Sequence, residues 1–149
     1  MRVLLVYPPV LHERVHKDEV AVPPLGIHFV GAVLREQGFE VEILNAHDTG
    51  DRPEAIEPVL AGFRPQVVGF SVLHANRWGA ADTARVIKRV DPAVRVVFGG
   101  IGATFLWEQL LNRVPELDCV VLGEGEQTFL ELVRHFESPP GHGSLPEGI

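Results

Sequence analysis

The chain has 149 residues, 46% of them hydrophobic and 22% charged, a formal net charge of −7 and a single cysteine. That size and balance describe one ordinary globular domain, large enough to bury about two thirds of its unfolded surface, and the acidic charge argues against a nucleic-acid partner, which needs a basic surface to neutralise phosphates. One cysteine excludes a disulfide framework and fits a reducing cytoplasm, no apolar run approaches the ~20 residues of a membrane span, and Met1 to Val6 is too short before its prolines to read as a signal peptide.

In chain order, Val3 to Val6 reads as the first strand. It is followed by Tyr7-Pro8-Pro9 and a stretch without periodicity, residues 8 to 24, that carries His12, His16 and four prolines. Strand-to-helix loops normally take ~2–6 residues, so a loop of this length inside a compact domain is functional or disordered. It ends in Val22-Pro23-Pro24-Leu25-Gly26, where proline presets φ for a helix start. A helix from about Leu25 to Gln37 stops at Gly38. Glu40 to Leu44 reads as a strand, Pro53 to Gly62 as a helix, and Val67 to Phe70 as a third strand that runs into Ser71-Val72-Leu73. The pattern repeats with a helix over Arg77 to Val90, a strand over Val94 to Phe98 closed by Gly99-Gly100, and a helix over Thr104 to Arg113. Cys119 to Leu122 is the fifth strand, with Cys119 expected as a buried core thiol, and Gly123-Glu124-Gly125-Glu126-Gln127-Thr128 leads into a helix over Gln127 to Phe136.

Most of these strands are continuous runs of Val, Leu, Ile and Phe, as expected where helices cover both faces. Alternating strand and helix units predict an α/β fold: a doubly wound, five-stranded parallel sheet of Rossmann or flavodoxin-like type with right-handed crossovers. The expected order is 2-1-3-4-5, which puts the switch point between the first and third strands and a ligand outside their carboxyl ends. The domain should span residues 1–137. Residues 138–149, with three prolines and three glycines, read as a linker or truncated tail.

Several chemistries that use this fold are excluded by their own requirements. A phosphorylation receiver needs an acidic pair after the first strand, an aspartate after the third and a lysine after the fifth; this chain has prolines, Ser71 and Gly123. A dinucleotide site needs Gly-x-Gly-x-x-Gly after the first strand, and a flavodoxin needs a hydroxyl- and glycine-rich phosphate loop there; both are missing. Gly100-Ile101-Gly102 is only a fragment of such a motif.

Four strand ends carry the remaining signal: Tyr7-Pro8-Pro9, Ser71-Val72-Leu73, Gly99-Gly100 and Gly123-Glu124-Gly125-Glu126. In this order and spacing they resemble the cobalamin-binding domain at the N-terminus of cobalamin-dependent radical-SAM enzymes, over residues 1 to about 136. The resemblance implies that Ser71, two residues before Leu73, contacts the buried dimethylbenzimidazole tail and that Gly99 and Gly100 make room for it. It extends the expected cofactor contacts to Pro8, Pro9, Pro24, Leu25, Gly26, Val72, His74, Ile101, Glu124, Glu126 and Thr128. Glu124 and Glu126, at a helix N-terminus that favours negative charge, are expected to orient structure or ligand, not to catalyse.

The lower cobalt ligand of the methionine-synthase and mutase branch is a histidine in Asp-x-His-x-x-Gly after the first strand. Aligning that glycine with Gly26 puts Pro23 at the histidine and Ala21 at the aspartate, so the resemblance implies base-off, His-off cobalamin. Asn45-Ala46-His47-Asp48-Thr49-Gly50 nearly spells the motif but follows the second strand. His12, His16, His47 and His74 stay candidate ligands because neutral imidazole binds metals wherever it reaches. Trp78, Phe105 and Trp107 are either packing residues or an aromatic wall for the corrin or a partner domain.

One cysteine cannot hold the Cys-x-x-x-Cys-x-x-Cys cluster of a radical-SAM centre. S-adenosylmethionine and the iron–sulfur cluster are therefore expected in a partner domain, in cis or in trans, with this chain holding the cofactor for methyl transfer or, less often, a rearrangement. The alternative is the same fold without corrinoid, serving as a substrate-recognition or docking module.

Overall fold

A computed structural model describes residues 1–10, 24–46, 52–138 and 144–149. Parallel strands β1 (Arg2–Tyr7), β2 (Glu40–Asn45), β3 (Val67–Ser71), β4 (Arg95–Gly99) and β5 (Cys119–Val120) form one sheet in the predicted order β2-β1-β3-β4-β5. The helices are α1 (Leu25–Glu36), α2 (Glu57–Phe63, entered through a 3-10 turn at Pro53–Ile56), α3 (Arg77–Val90), α4 (Ile101–Arg113) and α5 (Gly125–Glu137). Among the described residues no helix is long and apolar enough to cross a membrane.

Side chains alternate across a strand, so each strand feeds two cores. Leu4, Val6, Val68, Phe70, Val96 and Phe98 pack with residues of α2, α3 and α4, whereas Val3, Leu5, Val67 and Val97 pack with residues of α1 and α5. The register aligns Leu5 with Gly69 and Gly69 with Val97, and one step further Ser71 with Gly99. Gly69 and Gly99 both belong to the α1/α5 face by this alternation. Two adjacent rows of that face thus lack a side chain near the carboxyl end of the sheet.

Most boundaries shift from the sequence expectation by one to three residues, helix α5 for example starting at Gly125 and not Gln127, and two of the shifts shape the loops around the sheet's end. Helix α4 begins at Ile101, not Thr104, because Gly100 at φ 89°, ψ 175° turns the chain at once after β4, in a region that is essentially glycine's alone. The glycine at the second helical position lets α4 start against the β3 loop: a Cβ on Gly102 would lie 2.6 Å from the Leu73 carbonyl carbon. Strand β5 ends at Val120, before the predicted Leu122. Val121 N–H still donates to Phe98 (2.8 Å), but Leu122 N–H donates to the Gly148 carbonyl (2.8 Å), so residues 144–149 lie against the end of this edge strand. Leu145 and Ile149 join Trp107 and Leu111 around a cavity of about 250 Å³ there. Cys119 also departs from expectation, being half-buried, because only one side of β5 is paired.

Candidate functional site

The missing side chains on the α1/α5 face leave a cavity of about 390 Å³ between the sheet and these two helices, within the ~300–1,000 Å³ of ordinary ligand sites. Its floor is Leu5, Gly69, Val97, Gly99 and Val121; its walls are Gly26, Ile27 and Val30 from α1 and Gly125, Glu126 and Phe129 from α5. Ser71, Gly100, Ile101, Thr104, Gly123 and Glu124 complete the opening. Phe129 covers Gly69, where a Cβ would lie 2.8 Å from the ring Cζ. Gly99 stays uncovered: a Cβ there would meet Val121 Cβ at 3.7 Å and the Phe70 carbonyl at 3.9 Å, which are ordinary contacts. The cavity is therefore an apolar slot, with bare backbone exposed to it at Gly99.

Backbone bonds lock the loops around this slot. Val72 N–H donates to the Gly99 carbonyl (2.8 Å), and Gly102 N–H donates to the Val72 carbonyl (2.9 Å). Asn76, fully buried, accepts the Leu73 N–H on Oδ1 (2.7 Å) and donates from Nδ2 to the Ser71 carbonyl (3.3 Å). An Asn just before a helix usually caps it; this one has no cap bond and folds the preceding loop instead. The Thr104 hydroxyl donates to the Gly100 carbonyl (3.0 Å) and accepts the Gly123 N–H (3.0 Å).

Of the residues singled out in the sequence, Gly26, Ser71, Gly99, Gly100, Ile101, Gly123, Glu124, Gly125 and Glu126 meet in this one cavity. The others lie around it. Pro8 and Pro9 are buried beneath α3, where Gly79 leaves space for the chain: a Cβ on it would fall 2.0 Å from the Pro9 carbonyl oxygen. Pro24 accepts the Ile27 N–H at the start of α1 (3.2 Å). Leu25, beside Gly26, is 61% exposed, as is Phe29 at 60%; on the α4 side Ile101 is 63% and Phe105 79% exposed, so large apolar side chains remain in water on α1 and α4, two of the three helices that border the opening. Val72 is buried in the opposite core, and Leu73 is partly exposed. Thr128 faces the tail: a Cβ on Gly148 would lie 3.5 Å from its Cγ2.

His74 lies elsewhere, in a groove of about 150 Å³ between α3 and α4 with Arg77, Trp78 and Arg113. Arg77 donates to the His74 carbonyl and stacks over Trp78 at 5.1 Å. Trp107 borders the β5-edge cavity. Neither tryptophan lines the main cavity; Phe105 stands near its mouth, one turn beyond Ile101. Ala21, Pro23, His12, His16 and His47 lie outside the described residues.

Sequence reasoning missed Asn76, Thr104, Gly69 and Phe129. Strand alternation carried a signal for Gly69, a lone glycine in an otherwise apolar strand, which marks close approach of another group. The partners of Asn76 and Thr104 are set by loops meeting in space and leave no periodicity.

Comparison with known proteins bears on the family and the fold. The family model described as B12 binding domain matches residues 14–133. An uncharacterized methyltransferase of Pyrococcus horikoshii is 34% identical over 135 residues, 89% of this chain and 29% of the relative. The anaerobic magnesium-protoporphyrin IX monomethyl ester cyclase of Rubrivivax gelatinosus is 30% identical over 138 residues, 89% of this chain and 24% of its own length. Among solved structures, the radical S-adenosylmethionine methyltransferase TsrM of Kitasatospora setae, with tryptophan substrate and a SAM analog bound, superposes with a TM-score of 0.80 at 24% identity, covering 97% of this chain and 27% of that one. With cobalamin and a [4Fe-4S] cluster bound, TsrM gives a TM-score of 0.75 at 22% identity, over 97% of this chain and 28% of that one. These superpositions bear on the fold. The chain spans about a quarter of the length of the relatives it matches.

Proposed function

Because the chain belongs to the B12-binding domain family it is a cobalamin-binding module, and we propose that it holds its corrinoid base-off and His-off for a radical-SAM domain located elsewhere in the same polypeptide or on a partner. The observation that carries this reading is the apolar slot at the carboxyl end of the sheet, where Gly99 leaves bare backbone uncovered and the Phe129 ring closes the space over Gly69. A displaced aromatic base needs such a flat opening, with no side chain over Gly99 and an apolar wall beside it.

In this reading Gly99 and Gly100 border the tail, and the Ser71 hydroxyl at the slot's edge offers it a polar contact. Gly26, Gly123 and Gly125 let backbone approach closely. Glu124 and Glu126 accept hydrogen bonds from amide side chains of the corrin, and the exposed Leu25 and Ile101 give the macrocycle an apolar seat. Pro8, Pro9, Pro24, Val72, Leu73, His74 and Thr128 act from behind by shaping the loops. Bound cobalamin would supply a cobalt centre able to carry a methyl group; the protein's part is to hold and orient it. The net charge of −7 speaks against a nucleic-acid partner, and the single half-buried thiol fits a reducing cytoplasm.

The test is reconstitution. Chain mixed with excess hydroxocobalamin and gel-filtered should retain a roughly equimolar corrin absorbance; none would favour a corrinoid-free docking module. Electron paramagnetic resonance of the cob(II)alamin form should then show no nitrogen superhyperfine splitting. A splitting that persists with a base-free cobinamide and vanishes in a His12→Ala, His16→Ala, His47→Ala or His74→Ala variant would name a protein ligand instead.

A further inference from the structure

Thr104 stands in the first turn of α4 with its hydroxyl engaged twice, donating to the Gly100 carbonyl and accepting the Gly123 N–H, each at 3.0 Å. The first bond is routine, since a helical threonine often bonds the carbonyl four residues back; Thr83 does the same to Gly79 at 2.7 Å. The second is not. It reaches across 19 residues to the loop after β5.

The two partners belong to the two loops that need holding. Gly100 and Gly123 have φ of 89° and 70°, and glycine backbone is the least restrained before folding. Register pairing of β4 with β5 stops at Phe98 and Val120, followed by one bond from Val121 N–H to the Phe98 carbonyl. Beyond that point the strands part, and among the described residues the Thr104 hydroxyl is the polar link between their loops. All three residues border the main cavity.

We propose that Thr104 is a positioning residue of the cobalamin site: its hydroxyl sets the spacing between the two glycine loops, and so preorganises the opening before the cofactor enters. This rests on the cobalamin reading above. Preorganisation raises affinity by removing an ordering cost at the moment of binding, without a new contact to the ligand. A threonine that merely satisfied its helix would lack this consequence.

The test compares Thr104→Val, which keeps the shape and removes both bonds, with Thr104→Ser, which keeps the hydroxyl, and uses Thr83→Val as a control that loses only a back-bond. Two quantities are read: amide exchange of Gly123 in the cofactor-free chain, and dissociation of bound hydroxocobalamin chased with excess free corrinoid. Thr104→Val should speed both by roughly five- to thirtyfold, the span of one or two lost hydrogen bonds. Thr104→Ser should restore both to within about twofold, and Thr83→Val should leave Gly123 exchange unchanged. Unchanged Gly123 exchange in Thr104→Val, or failure of serine to restore it, overturns the link. Faster exchange with unchanged cobalamin dissociation overturns the positioning role but leaves the cobalamin reading standing. A wild-type chain that retains no corrinoid overturns both.

Discussion

The ring of Phe129 rests on the bare backbone of Gly69, where a Cβ would lie 2.8 Å from the ring Cζ and 3.1 Å from Leu5 Cδ2. Strand β3 and helix α5 are thus fitted to each other through a missing side chain. Phe129 is also part of the cavity wall, so what packs the core here also sets the depth of the slot. Gly69→Ala should displace the ring within the cavity and destabilise the chain by about 1–3 kcal/mol, as overpacking does. Denaturant titration reads the stability loss and cobalamin affinity the displacement within the cavity; wild-type values for both would mean that the ring moves aside freely.

The two glycines at the end of β4 should separate binding from folding. Gly99 has ordinary backbone, and a Cβ on it makes only normal contacts, so Gly99→Leu should fold and fill the slot, lowering cobalamin retention on gel filtration to background. Gly100 has φ 89°, and a Cβ would meet the Val72 carbonyl oxygen at 3.1 Å and its nitrogen at 3.2 Å. Gly100→Ala should therefore cost about 1–3 kcal/mol of stability through backbone strain. A Gly99→Leu chain that folds and still binds would place the tail outside this slot.

Asn76 is buried and bonded to two backbone groups of the loop after β3. Removing its amide leaves the Leu73 N–H and Ser71 carbonyl without their partner, which typically costs about 1–3 kcal/mol for a buried group. Asn76→Ala should show that loss together with faster amide exchange at Leu73. Asn76→Asp keeps an acceptor for Leu73 but sets a carboxylate against the Ser71 carbonyl, and should be destabilising at neutral pH as well. Stability equal to wild type in both variants would show that Val72, bonded at both ends, holds the loop alone.

Burial above all, aided by the Asp118 carboxylate and opposed by Arg95, pushes the Cys119 thiol above its ordinary pKa. The folded chain therefore holds this proton more tightly than the unfolded chain. The resulting stabilisation is complete below the unfolded pKa and is lost as pH rises through the folded one. On the alkaline limb, wild-type stability should fall more steeply than that of Cys119→Ser, and iodoacetamide should react more slowly with native than with unfolded protein. Parallel limbs and equal labelling rates would remove this linkage.

The sequence by itself determined the strand order and the end of the sheet at which to look. Five buried apolar runs separated by helical segments admit few topologies, because parallel crossovers are right-handed and the sheet must be covered on both faces. It also marked Ser71, Gly99, Gly100 and the Gly123 to Glu126 segment, since glycine at a strand end is legible wherever it stands. Tertiary structure alone decided which marked residues share a cavity. Alternation put Gly69 and Gly99 on the α1/α5 face and Val72 in the opposite core, while His74 and Trp78 went to a separate groove between α3 and α4. It alone joined Thr104 to Gly123 and Asn76 to Leu73 and Ser71. The physical reason is range: periodicity and turn chemistry act over a few residues along the chain and can be read there, whereas a hydroxyl bridging two loops depends on where two strand ends stop in space.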